Sequence, residues 1–143
     1  MGFLIDTNVV SELRKGDRCH PQVAAWFESL TDQPLFLSCL SLGEIRQGIE
    51  TKRRRSPEQA QVLERWLQSL ETHYADRVLP ITPAIADRWG RLNAARTFPV
   101  IDGLLAATAL VHGLTLVTRN VADVQGSGVE WFDPFVHPEG RAK

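Results

Sequence analysis

Four separated stretches of this chain place acidic or amide oxygens just after an apolar run: Asp6, Glu44, Asp102, and the pair Asn120 and Asp123. Asp6 follows Phe3-Leu4-Ile5 directly, and Glu44 falls in the first turn of the helix expected after Leu35-Phe36-Leu37. Asp102 falls in the first turn of a helix expected over Val100–His112, and Asn120 and Asp123 follow the apolar stretch 114–118. Carboxylates gathered at one place raise one another's pKa, because like charges cannot all ionise cheaply. A hard divalent cation relieves that repulsion, and Mg²⁺ and Mn²⁺ prefer such oxygen ligands. A cation so held lowers the pKa of a water nucleophile and offsets charge on a phosphoryl oxygen, which points to metal-assisted phosphodiester hydrolysis. Taken singly, each acid also has a structural reading. Ser41-x-x-Glu44 fits a capping box, Asp102 suits the positive end of its helix dipole, and Asp6 and Asp123 suit caps or turns. Those readings leave the common location unexplained.

The elements that must position these groups are marked by turn and cap signals. Strands are expected at residues 3–5, 35–37, 77–81 and 114–117, with a last one at 129–132. Residues 7–15 have helical character and end at Gly16, and a second helix starts at Pro21 with Val23, Ala24, Phe27 and Leu30 on one face. A third helix follows the second strand and enters at Ser41. Ser56-Pro57 opens a fourth, with Val62, Leu63, Trp66, Leu67 and Leu70 on its apolar face. Thr82-Pro83 opens a fifth, broken by Phe98-Pro99, and the helix from Val100 closes at Gly113. Short apolar strands alternating with helices predict an α/β domain with a mainly parallel central sheet flanked by helices. In such sheets sites form outside the carboxyl ends of the strands, where these acids fall.

Composition narrows the function classes. Among 143 residues, 43% are apolar, enough for one domain with its own core. Sixteen Lys and Arg against seventeen Asp and Glu give a net charge of −1, which excludes a polybasic coat as the main binding device. Cys19 and Cys39 have no metal-ligand spacing, so a reducing cytosol is expected. The longest apolar stretch, residues 103–111, is about half a membrane span, and the opening residues are too short for a signal-peptide core. A cytoplasmic, membrane-free protein is the expectation. No G-x-S-x-G, G-x-G-x-x-G or P-loop is present, and the histidines show no nucleophile–base spacing. Trp26, Trp66, Trp89 and Trp131 lie on apolar faces and read as packing residues.

Four segments carry a resemblance. Leu4-Ile5-Asp6-Thr7-Asn8-Val9-Val10-Ser11-Glu12-Leu13-Arg14 resembles the first motif of PIN-domain ribonucleases, in particular VapC-type toxins and their FitB-like subgroup. Leu37-Ser38 through Leu42-Gly43-Glu44-Ile45-Arg46-Gln47-Gly48-Ile49 resembles the second motif. Val100-Ile101-Asp102-Gly103-Leu104-Leu105-Ala106-Ala107-Thr108-Ala109 resembles the third, and Leu116-Val117-Thr118-Arg119-Asn120-Val121-Ala122-Asp123 the fourth. The match runs in order over about residues 3–135, so residues 1–135 are read as a PIN-like nuclease domain and 136–143 as a polar tail.

The resemblance implies a Mg²⁺- or Mn²⁺-dependent endoribonuclease, the toxin of a type II toxin–antitoxin pair. It implies catalytic roles for Asp6, Glu44, Asp102 and Asp123, with Asp6 and Asp102 as direct metal ligands and Glu44 acting directly or through water. Asn8, Thr118 and Asn120 would support them. Many relatives carry an acid where this chain has Asn120, so Asp123 is ranked as the charged contributor. Gly103 stands where Ala is frequent and lowers helix propensity by about 1 kcal/mol. Arg46 and Arg119 are read as contacts to RNA phosphates, with surface solvation as the other reading. The run Lys52-Arg53-Arg54-Arg55 reads as a solvated helix end or as a phosphate contact. The family further implies a homodimer, an antitoxin covering the acidic groove, and operator DNA bound only through the antitoxin complex. Two alternatives stand beside this. A haloacid-dehalogenase-like phosphatase needs Asp-x-Asp where this chain has Asn8, and a non-catalytic PIN-fold binding module would not need the acids.

Overall fold

In the computed structural model, which describes residues 2–136, successive residues of the central strands bury on opposite sides of one sheet. Leu4 and Leu116 pack with Leu105, Ala106 and Ala109, whereas Ile5 and Val117 pack with Val9, Trp26, Leu37 and Ile49. Alternation with both faces covered is what a parallel sheet between two helical layers requires. The strands are β1 (Phe3–Ile5), β2 (Leu35–Ser38), β3 (Val78–Leu79), β4 (Thr115–Val117) and β5 (Trp131–Phe132). They pair in parallel in the order β3-β2-β1-β4-β5, with Leu4 between Phe36 and Leu116. The expected α/β class with a parallel central sheet is the one observed.

Among the described residues six α-helices cover this sheet: α1 (Thr7–Leu13), α2 (Pro21–Ser29), α3 (Cys39–Arg53), α4 (Pro57–His73), α5 (Pro83–Ala95) and α6 (Val100–His112). Their starts follow the local chemistry: Ser56 and Thr82 cap the amides of Gln59 and Ile85, each with Pro at the first helical position. Gly113 takes φ 67° in the left-handed region and ends α6, a conformation costly for a residue with a Cβ. α6 is the most deeply buried helix, with Leu105, Ala106, Ala107, Thr108 and Ala109 essentially inaccessible. Truncating Leu105 to Ala there would cost about 2–5 kcal/mol. A Cβ on Gly103 would stand 3.3 Å from Phe98 and from the Trp89 ring, so this glycine lets α5 close onto α6 beside Asp102.

Several sequence boundaries are corrected. α1 ends at Leu13 rather than residue 15, and Gly16 opens a short 3-10 turn beyond it. α3 starts at Cys39 with Ser38 as its cap, so Ser41 and Glu44 form no capping box. Ser41 is buried within the helix, and Glu44 lies in the second turn instead of the first. α2 turns Trp26 inward against Phe3 and Phe132 and leaves Phe27 41% exposed, which revises its expected apolar face. On α4 the buried positions are Ala60 and Leu67, while Val62 is 52% exposed. The third strand is only Val78–Leu79 and the last only Trp131–Phe132. Residues 137–143 of the expected tail lie outside the described residues.

Candidate active site

The order of strands reverses at β1, with β2 on one side and β4 on the other, so a crevice opens beyond the carboxyl ends of β1 and β4. A cavity of about 310 Å³ occupies it, lined by Asp6, Thr7, Asn8, Glu44, Ile101, Asp102 and Asn120.

Asp6 is the centre of the wall. It ends β1, where its amide donates to Val117 O at 2.9 Å, and it caps α1 by accepting from the Thr7 amide at 2.7 Å. Its other carboxylate oxygen accepts from Thr118 Oγ1 at 2.7 Å and from Asn8 Nδ2 at 3.3 Å. The residue is only 4% exposed, and burial pushes its carboxyl above the usual value. Hydrogen bonds from Thr118, Thr7 and Asn8 pull the other way, while the charge of Glu44 adds to the rise. Thr118 and Asn8 are fixed in turn: Thr118 Oγ1 accepts from the Asn120 amide at 2.9 Å, and Asn8 Oδ1 from the Arg119 amide at 3.2 Å.

Asp102 reaches the cavity from the first turn of α6, where its carboxyl is pushed up to about 6. Burial is the largest cause, followed by the charges of Asp6 and Asp123 and then Glu44, with the Asn120 amide acting in opposition. Glu44 descends from α3 and accepts from Thr7 Oγ1 at 2.5 Å. Thr7 and Ile101 are lining residues that sequence reasoning did not single out. Both flank an acid directly in the chain, and that adjacency was the available signal.

The expected residues thus divide by position. Asp6, Glu44, Asp102, Asn8 and Asn120 share one cavity, with Thr118 directly behind Asp6. Asp123 lies outside the lining, although its charge reaches Asp102. Arg46 is not brought in. Its guanidinium makes a bidentate pair with Glu64 of α4, both contacts at 2.6 Å, and a further bond to Glu50 at 3.0 Å. The Arg119 guanidinium also stays out, 4.5 Å from the centre of the Phe135 ring. Among the described residues, no three carboxylate, imidazole or thiol groups close tightly around a single point. The acids line an open cavity instead of a closed cage.

Known proteins are similar to this chain in sequence and, where solved, in fold. The chain is 29% identical to Toxin FitB of Neisseria gonorrhoeae over 138 residues, covering 93% of this chain and 98% of the toxin. It is 31% identical over 141 residues to VapC ribonuclease Y4jK of Sinorhizobium fredii, covering 93% and 97%. The crystal structure of FitAcB from Neisseria gonorrhoeae superposes with a TM-score of 0.83 at 30% identity, covering 94% of this chain and 99% of the other. Residues 3–122 match the PIN domain family, and with the motifs and the sheet order this match establishes that the chain belongs to it.

Proposed function

We propose that this chain is a Mg²⁺- or Mn²⁺-dependent endoribonuclease and the toxin of a type II toxin–antitoxin pair. The observation that carries the reading is the gathering of Asp6, Glu44 and Asp102, from three elements far apart in the chain, around one cavity in which burial first, and then like charge, push Asp102 up to about 6. Such repulsion is what a cation relieves. Mg²⁺ commonly keeps several waters and takes one or two carboxylates plus substrate phosphate, which fits an open set of acids better than a closed cage. When bound, the ion supplies a lowered pKa for water and charge stabilisation on a phosphoryl oxygen.

The residues divide that work. Asp6 and Asp102 would hold the ion, with Asp6 oriented by Thr118 and Asn8 and its charge kept in place by the Thr7 amide. Glu44, fixed by Thr7 Oγ1, stands across the cavity where it can take a proton from the attacking water. Asn120 supplies an uncharged oxygen or amide to the same wall, and Asp123 acts on Asp102 through its charge. The relatives named a toxin and a ribonuclease support RNA as substrate and an antitoxin as partner. A homodimer, and operator DNA bound only through the antitoxin complex, belong to the same reading. Phe27 and Val62, exposed on α2 and α4, offer apolar side chains for such contacts. A cytoplasmic site of action belongs to the same proposal; no helix among the described residues is long and apolar enough to cross a membrane.

The test uses purified, antitoxin-free protein with structured total RNA, with Mg²⁺ or Mn²⁺, with EDTA, and as Asp102→Asn. Discrete fragments that vanish with EDTA and in the variant are expected. Cutting that survives in the variant overturns the site, and hydrolysis of a phosphomonoester would favour the phosphatase alternative.

A further inference from the structure

Charge on α3 is sorted by face. Arg46, Glu50 and Arg53 form a closed network with Glu64 of α4, at distances of 2.6 to 3.0 Å. On the neighbouring face Glu44, Gln47, Gly48, Thr51, Lys52 and Arg55 follow at helical spacing and line an open groove of about 460 Å³. Groove and acid cavity meet at Glu44, which lines both. Among the described residues no carboxylate pairs with Lys52 or Arg55. The basic run is therefore split: Arg53 is neutralised within the fold, whereas Lys52 and Arg55 hold uncompensated positive charge over a groove that leads to the acids. A Cβ on Gly48 would meet nothing within 4 Å, so mid-groove the helix presents bare backbone to whatever lies there.

We propose that this groove carries the sugar–phosphate backbone of the RNA strand being cut, with Lys52 and Arg55 binding phosphates to one side of the scissile bond. The proposal rests on the endoribonuclease reading and adds the path of its substrate. A cavity of carboxylates repels a polyanion, and a chain of net charge −1 has no general attraction to offset this, so the attraction must be local. Two free cations beside the cavity supply it without reading sequence. At about 1.5 Å of rise per residue, Lys52 stands about 12 Å along α3 from Glu44. A dinucleotide whose one phosphate lies in the cavity has no second phosphate to offer Lys52, whereas a longer strand does.

The test measures RNA binding on an Asp102→Asn background, with and without Lys52→Gln plus Arg55→Gln, across about 50 to 200 mM salt. The probes are a labelled single-stranded RNA of mixed sequence and a labelled dinucleotide. The groove variant is expected to bind the long RNA about ten-fold more weakly at low salt. The slope of log affinity against log salt should fall by about 1.4, or 0.7 for each lost phosphate contact. Dinucleotide binding stays unchanged, and Lys52→Arg with Arg55→Lys restores the slope, which a folding defect would not do. In otherwise wild-type protein the same pair should raise KM for cleavage and leave kcat unchanged. Unaltered long-RNA affinity and slope overturn the groove while leaving the nuclease reading intact if the wild type cleaves. Failure of the wild type to bind or cut any RNA removes both. Weakened antitoxin binding with RNA binding untouched reassigns the groove to a peptide partner and overturns it as well.

Discussion

Glu44 and Arg46 stand two residues apart on α3 and about 200° apart around it, and their surroundings are opposite. Arg46 meets Glu64 and Glu50, and its neighbour Arg53 completes the set, so every charge there has a partner within 3.1 Å. Glu44 faces Asp6 and Asp102 with hydroxyl and amide donors but no cation within the cavity lining. The carboxyls report this difference. Paired guanidinium groups, Arg46 first, bring Glu64 down to about 2, while burial and like charge push Asp102 up to about 6. A satisfied cluster ties two helices together. The unsatisfied one is the place where the proposed reading puts a cation from outside the chain.

The largest expected effect is on the unsatisfied side. Thr118→Val removes the buried hydroxyl that holds Asp6 and keeps the side chain's shape. With Asp6 holding the ion as proposed, single-turnover cleavage should fall by about 10- to 100-fold. Thermal melting of the same variant should show a loss of about 1 kcal/mol. Cleavage within roughly two-fold of wild type would mean that Asp6 needs no orienting.

Opposite pH slopes sharpen the contrast. Because the folded chain holds the Asp102 proton more tightly than the unfolded chain, its contribution to stability falls as pH rises from 3.8 through about 6. Solvent in the open cavity screens this to about 1 kcal/mol. Denaturant titration of metal-free protein should show that loss, and Asp102→Asn should remove it. Glu64 behaves in reverse: its stabilisation is present above 4.5 and is lost as pH falls toward about 2. Glu64→Gln should therefore flatten the acid limb of the melting curve. It is also the smallest effect, lowering the melting temperature near neutrality by a few degrees at most and leaving cleavage unchanged, as expected of exposed ion pairs. A large loss of activity in Glu64→Gln would erase the distinction between the two clusters.

Much of this was legible in the sequence because it is local. Asp6 directly follows the β1 run, Glu44 lies on the helix that follows β2, and Val100–His112 carries both its first-turn acid and its terminating glycine. The misplaced details depend on distant partners. Ser41 with Glu44 satisfies a local capping pattern, yet Glu44 accepts from Thr7, 37 residues away, and Ser38 takes the cap. Trp26 turns inward to meet Phe3 and Phe132, which no reading of α2 alone reveals. Arg46 is different: the 200° separation from Glu44 was available from helix geometry and already placed its side chain on another face. Gly103, a weak helix former, is explained only by the approach of Trp89 and Phe98 from outside the helix.

The bond from Thr118 to Asp6 joins residues 112 positions apart, at 2.7 Å. Until β4 exists, β1 has only β2 beside it and Asp6 lacks its buried donor. A ribosome adds about 5–20 residues each second, so on the order of ten seconds separates the synthesis of Asp6 from that of Thr118. In the proposed reading, the acid site of the growing chain is therefore incomplete for nearly the whole of its synthesis.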